Sequence, residues 1–138
     1  MLVSLLFVCV HNAGRSQMAA AFASALGRGS VEVRSAGSAP ATTVNAVVAE
    51  AMREVGIEVA ATPQRLADAH VLASDVVITM GCGDACPVYP GKRYEDWAVD
   101  DPAGQGIEVV RRIRDDVQRR VAALLADLGV AAEIPGAG

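Results

Sequence analysis

Residues 2–8 (LVSLLFV) form a nearly unbroken apolar run that ends at once in Cys9-Val10-His11-Asn12-Ala13-Gly14-Arg15-Ser16. A run this short, apolar at successive rather than alternate positions, fits a strand covered on both faces in a parallel sheet. Behind the loop, Met18, Ala19, Phe22 and Leu26 recur at helical spacing, and Gly27 is expected to stop that helix. The chain is thereby committed to open as strand, loop and helix, with the strand at the centre of its sheet.

The alternation continues to the end. Residues 31–35 read as a second short strand, followed by a loop containing Gly37, Ser38 and Pro40. Val44, Val47, Val48, Ala51, Met52 and Val55 hold one face of a helix that Gly56 ends. A weaker helix is expected over residues 64–73, a buried strand over 75–80 (DVVITM) and a more polar strand over 92–97. A long helix over 107–128 carries the apolar stripe Val110, Ile113, Val117, Val121, Leu124 and Leu128. Arg111 with Asp115 and Asp116 with Arg120 stand four apart on it, and its five arginines read as a solvated face. The fold class that follows is α/β: a single doubly wound domain, a four-stranded parallel sheet flanked by helices. Residues 1–130 are assigned to it, and the Gly/Ala-rich residues 131–138 to a flexible tail.

Composition narrows the functions open to such a domain. Aromatics are 4% of the chain, so any aromatic-walled cleft must draw on Phe7, Phe22, Tyr89, Tyr94 and Trp97 alone. A net charge of −4 argues against a general nucleic-acid binder and against an anionic membrane surface, leaving room only for a local positive pocket. No stretch approaches the ~18 apolar residues that span a bilayer. The opening MLVSLLFVCV, with Ala23-Ser24-Ala25 behind it, imitates a secretion signal. It lacks a basic start, and His11, Asn12, Arg15, Ser16 and Gln17 interrupt it. Cys9, Cys82 and Cys86 make an odd count that suits reduced, reactive thiols, so a cytoplasmic protein is expected.

In doubly wound sheets the working edge is the one at the strand C-termini. Cys9 lies just past the first strand and Cys82 just past residues 75–80, so parallel pairing of those strands would bring both thiols to one edge. Between Cys9 and Arg15, a loop entering a helix can curl so that the backbone N–H groups of Val10, His11, Asn12, Ala13, Gly14, Arg15 and Ser16 converge on a tetrahedral oxyanion. Arg15 would close the cradle with a two-pronged contact. The same field stabilises a thiolate on Cys9, and Ser16 is placed to donate to the sulfur. Asn12 tolerates the left-handed backbone that such a turn needs. His11 reads as a partly exposed loop residue, and His70 as structural or solvent-facing.

Two further signals accompany the loop. Asp100-Asp101-Pro102 precedes the last helix. Asp101, held extended by Pro102, suits a general acid that protonates a departing oxygen, with Asp100 as a capping or supporting carboxylate. A helix N-cap is the plainer role for the pair. In Gly81-Cys82-Gly83-Asp84-Ala85-Cys86-Pro87, the two cysteines would come to ~6 Å between Cα atoms if the loop turned helically, within disulfide range. A zinc site is the competing reading, and it would have to recruit Cys9, His11 or acids; no metal is assigned.

VCVHNAGRSQMA, the strand-helix alternation and the late Asp-Pro together resemble the low-molecular-weight protein-tyrosine phosphatase superfamily, while ITMGCGDACP and RYEDWAVDDPAGQ resemble its arsenate reductase branch. The likeness runs to about Leu128. It implies that Cys9 attacks arsenate held by the loop amides and Arg15, that Asp101 protonates the leaving oxygen, and that a second thiol attacks the Cys9-arsenic adduct. In thioredoxin-linked members the second and third cysteines lie where Cys82 and Cys86 stand, here separated by only three residues. A mycothiol-linked group uses mycoredoxin instead, and 26 alanines with 11 arginines against one lysine fit the GC-rich genomes that make it. No cofactor is expected to stay bound. Some members hold potassium beside the loop; Asn12, Ser35 and Thr62 are the matching positions, with Gln64 where an acid would be expected.

Two alternatives stand beside arsenate reduction: a phosphotyrosine phosphatase, and a non-enzymatic oxyanion- or metal-binding thiol protein. After Asp101-Pro102 come Ala103, Gly104, Gln105 and Gly106, small residues that suit a small oxyanion better than a phenyl ring.

Overall fold

The computed structural model describes residues 2–81 and 88–130. Along the chain run β1 (Val3–Cys9), α1 (Arg15–Gly27), β2 (Val31–Gly37), α2 (Ala46–Glu54), α3 (Asp68–Leu72), β3 (Val76–Thr79), β4 (Arg93–Asp96) and α4 (Ile107–Asp127). The strands form one four-stranded sheet in the order β2-β1-β3-β4, with every neighbouring pair parallel. The expected doubly wound α/β architecture is therefore present, with β1 inside it. Among the described residues no helix is long and apolar enough to cross a membrane.

The unbroken apolar run of β1 now has its physical reason. Leu5, Phe7 and Cys9 enter the main core, which Met18 and Phe22 of α1, Met52 of α2 and Val117 of α4 help to fill. Leu6 and Val8 point into a second cluster on the opposite face with Ala36, Val71 and Val77. Alternate residues go to opposite faces, and both faces are covered. One consequence is positional: Cys9 leaves the strand on the face that α1 covers.

Three details differ from what periodicity alone predicts. Gly27 is the last residue of α1, and the chain reverses one residue later at Arg28, whose φ is 47°. Gly27 is small for another reason, since a Cβ there would lie 2.6 Å from Val31 Cγ2. The weak helix shrinks to the five residues of α3. Residues 64–66 run beside β2 instead, with the Gly37 N–H donating to Gln64 O (2.9 Å) and the Leu66 N–H to Gly37 O (2.9 Å), because the outer edge of β2 offers unpaired backbone groups.

The third difference concerns the arginines of α4. Arg114 is buried and donates from Nη1 to Ala51 O (2.9 Å) and to Glu54 Oε1 (2.9 Å). Arg111 grips the same carboxylate from Nε (2.9 Å) and Nη2 (2.6 Å). Arg111 thus pairs with Glu54, leaving Asp115 to Arg114, while Asp116 and Arg120 meet as spaced (3.2 Å). Part of the supposed solvated face is a clamp between α2 and α4. The Arg111 hydrogen bonds, more than any other cause, hold the Glu54 carboxyl down at about 2, against an ordinary value of 4.5. A carboxyl lowered by folding contributes stability that is complete above 4.5 and is lost as pH falls towards 2. Glu54→Gln is expected to lower the thermal midpoint at neutral pH and to flatten its decline over that acid window, as melts across pH would record.

Candidate functional site

The loop between β1 and α1 is held by its carbonyl groups. Cys9 O accepts from the Ser38 N–H (3.2 Å), Val10 O from Ala39 (2.8 Å), His11 O from Ala41 (2.9 Å), Ala13 O from Asn45 (2.9 Å) and Gly14 O from Met18 (2.9 Å). Asn12 O accepts from Gln17 Nε2 (3.0 Å). No peptide bond among the described residues is cis. In a trans peptide the N–H points opposite to the preceding C=O. Tying six successive carbonyls outward therefore turns the amides of residues 10–15 to the concave side, and the first turn of α1 adds its own unpaired N–H groups. A concave ring of amides is the geometry an anion nest requires.

Asn12 fixes its shape. Its φ is 50° and it is fully buried. Its Oδ1 accepts from the Gln64 N–H (3.0 Å) and from Gln17 Nε2 (3.4 Å), and its Nδ2 donates to Ser16 Oγ (2.7 Å). Ser16 Oγ in turn lies 2.9 Å from Cys9 Sγ, where its hydroxyl can donate to the sulfur when the sulfur is a thiolate. A buried polar chain thus runs from residue 64 to the sulfur, every link hydrogen-bonded as burial requires.

Arg15 begins α1 and is largely enclosed. Its Nη1 donates to Val99 O (3.5 Å), and its Nη2 lies 3.8 Å from Asp101 Oδ2. Asp101 is half exposed and accepts the Ala103 N–H on Oδ1 (3.0 Å), which fixes the carboxylate on its own loop. Pro102 packs on Gly14, where a Cβ would come within 2.6 Å of Pro102 Cγ, so the Cys9 loop and the Asp101 loop touch directly. Cys9, Ala13, Gly14, Arg15, Asp101 and Pro102 border a cleft of about 30 Å³. By the roughly 10–15 Å³ that one water needs, that is room for a few solvent-sized atoms. A groove of about 590 Å³ lies between α1, β2 and residues 56–64, and Cys9, Arg15 and Asp101 are absent from its walls.

Asp101, remote in sequence, is thus brought to the same sheet edge as Cys9, Arg15 and Ser16. His11 is exposed at the cleft rim, its Nδ1 3.1 Å from Ala39 O. Asp100 does not cap α4, whose N-cap is Gly106. His70 has a structural part, since its Nδ1 accepts the Ala67 N–H (3.0 Å). Cys82 and Cys86 lie outside the described residues. Sequence reasoning missed Gln17, Gly37 and Gly81. Gln17 is a fully buried polar residue on an otherwise apolar helix face, the signal that a buried loop needs a donor. Gly37, read only as loop, lets the 9–16 loop pack closely on β2, because a Cβ there would meet Val10 O at 2.6 Å and Asn12 N at 2.9 Å.

Comparison with known proteins adds an independent line. A family model described as low molecular weight phosphotyrosine protein phosphatase matches residues 4–133. A glutaredoxin arsenate reductase of Synechocystis sp. is 38% identical over 128 residues, covering 90% of this chain and 97% of that one. Among solved structures, a thioredoxin-dependent arsenate reductase of Corynebacterium glutamicum matches with a TM-score of 0.84 and 43% identity, over 93% of this chain and 62% of that one. An arsenate reductase in its phosphate-binding state matches with a TM-score of 0.81 and 36% identity, over 91% of this chain and 98% of that one.

Proposed function

Because this chain belongs to the low molecular weight phosphotyrosine protein phosphatase family, with arsenate reductases among its near relatives, we propose that it reduces arsenate to arsenite in the Cys9 cleft. The oxyanion sits on the amides of residues 10–16 with Arg15 closing over two of its oxygens. The Cys9 thiolate attacks arsenic, an S–As bond forms, and an As–O bond breaks as Asp101 protonates the departing oxygen, which leaves as water. A second thiol then attacks Cys9 Sγ. The S–As electron pair passes to arsenic, reducing As(V) to As(III), and the two sulfurs are oxidised to a disulfide. Cys82 is assigned to that attack and Cys86 to the disulfide exchange that frees Cys9, with an external dithiol of the thioredoxin class restoring both. The thioredoxin dependence of the Corynebacterium relative supports this donor. Thiols that must return to the reduced state at every turnover suit a cytoplasmic location.

One observation carries the choice of substrate: none of the five aromatics borders the cleft. Phe7 and Trp97 meet at a tilt in the core with ring centroids 6.0 Å apart, Phe22 is fully buried, and Tyr94 accepts the Tyr89 N–H on its hydroxyl on the far face. A phosphotyrosine site has to grip a ring, and this cleft offers nothing to grip it with. Arsenate-dependent NADPH oxidation, run in parallel with thioredoxin and with mycothiol and mycoredoxin, tests the assignment. Turnover with thioredoxin that Cys82→Ser abolishes is the expected result. Turnover with mycothiol when both Cys82 and Cys86 are serine would overturn the internal relay, and p-nitrophenyl phosphate hydrolysis rivalling arsenate reduction would overturn the substrate.

No step runs through a monovalent cation. Of the oxygens that would hold potassium, Asn12 Oδ1 already accepts two N–H groups, and Ser35 O accepts from Gln64 Nε2 (2.8 Å). With Thr62 the remaining oxygen-bearing position and Gln64 standing where an acid would be expected, these positions offer a cation no anionic ligand, and the Gln64 carboxamide already donates to Ser35 O. Replacing potassium by choline at constant ionic strength is therefore expected to leave both rate and thermal midpoint unchanged; a midpoint that rises with potassium would contradict this.

A further inference from the structure

Gly81 follows β3 at the working edge with a φ of +87°, and an ideal Cβ built on it would stand 2.8 Å from Arg15 Nη1, 3.4 Å from Cζ and 3.5 Å from Nη2. The Nη1 end of the guanidinium thus comes up against a backbone that has no side chain, while Nη1 also meets Val99 O and Nη2 faces Asp101. We propose that Gly81 is a positioning residue for oxyanion binding: its bare Cα is the seat that aims the Arg15 fork into the nest. The reasoning is steric. A planar, two-pronged donor loses its grip on two oxygens when it is displaced by a fraction of an ångström or tilted, whereas a point charge does not. A Cβ at position 81 would stand 2.8 Å from the mobile end of the Arg15 side chain, closer than such contacts allow, so it is the fork that gives way and leaves its seat. Among the described residues Arg15 has one long hydrogen bond, to Val99 O, and one loose ion pair, with Asp101, so contact with the bare Cα of Gly81 is a substantial part of what places it.

A positive φ would make a substitution costly at any site, so strain and displacement have to be separated. Gly91 provides the control. Its φ is +85°, close to that of Gly81, and a Cβ there would meet nothing within 4 Å. Gly91→Ala therefore carries the backbone cost without touching Arg15. The proposal rests on the oxyanion site described above, and the experiment distinguishes the two. Inorganic phosphate, which binds the nest without being reduced, is titrated calorimetrically into the reduced full-length protein and into Gly81→Ala, Gly91→Ala, Arg15→Lys and the Gly81→Ala/Arg15→Lys double variant. Gly81→Asn, which tolerates a left-handed backbone, stands in if the alanine variant does not fold.

Gly81→Ala is expected to weaken phosphate binding about tenfold to a hundredfold, the range for losing charge-assisted hydrogen bonds. Gly91→Ala should bind like the wild type although both glycine variants melt lower. In the Arg15→Lys background Gly81→Ala should change affinity less than about threefold, because the group it displaces is gone. An equal loss in both backgrounds, or wild-type affinity in Gly81→Ala and Gly81→Asn, would overturn the role of Gly81 and leave the site intact. Equal phosphate affinity in wild type and Arg15→Lys would overturn the oxyanion site itself.

Discussion

Cys9→Ser is expected to abolish arsenite production, by about 10⁴-fold or more, while leaving the fold and the binding of oxyanions in place. The size follows from the chemistry. Serine oxygen can neither form the S–As bond nor give up the electron pair that reduces arsenic, and removing a covalent nucleophile leaves only the catalysis due to binding. The survival of the fold follows from the structure. Cys9 is buried with its sulfur 2.9 Å from Ser16 Oγ, so a hydroxyl in its place finds a hydrogen-bonding partner rather than an apolar wall. Arsenite released per mole of enzyme, set beside a melting curve and a phosphate titration, gives the answer. Arsenite production at a substantial fraction of the wild-type rate would show that the electrons pass elsewhere.

Asp101→Asn should cost about 10²- to 10⁴-fold in turnover, the span typical of a removed general acid. The substitution keeps size and shape, and the carboxamide oxygen can still accept the Ala103 N–H that fixes the loop (3.0 Å). What it loses is the proton. Phosphate affinity is therefore expected to change little, or to improve slightly as the negative charge 3.8 Å from Arg15 Nη2 disappears. A rate loss without a binding loss marks Asp101 as an acid. Parallel losses in both would mean that it serves chiefly to orient Arg15. Its half-exposed carboxyl suits the acid role, since a group that gives up a proton at every turnover has to recover one from solvent.

Much of this was legible in the sequence because it followed from local rules. The two-faced burial of β1, the turn at Asn12, the start of α1 behind Gly14 and the meeting of Cys9 with Arg15 all lie within one stretch of strand, loop and helix. Asp101 was legible through the dipeptide it forms with Pro102. What escaped was set by contacts across the chain. Residues 64–66 looked helical because their own periodicity permitted it, but the bare edge of β2 and the carboxamide of Asn12 both need backbone partners, and the extended form supplies them. Arg114 looked solvated because spacing on α4 says nothing about Glu54 and Ala51 on α2. Gly37 and Gly81 looked like loop residues because what demands a glycine there is a neighbour from another segment.

The outward-tied carbonyls of residues 9–14 have a final consequence, for selectivity. A mould made of main-chain N–H groups recognises the number and geometry of a ligand's oxygens and has little purchase on the atom at their centre. Phosphate and arsenate share charge and tetrahedral shape, so side-chain changes at Val10, His11 or Ala13 should alter the strength of binding without sorting one ion from the other. Discrimination is left to the chemistry: arsenic accepts an electron pair from sulfur and leaves as arsenite, whereas phosphorus does not. Phosphate should therefore act as a competitive inhibitor of this protein, and the rate of arsenate removal should follow the ratio of the two ions rather than the concentration of arsenate alone.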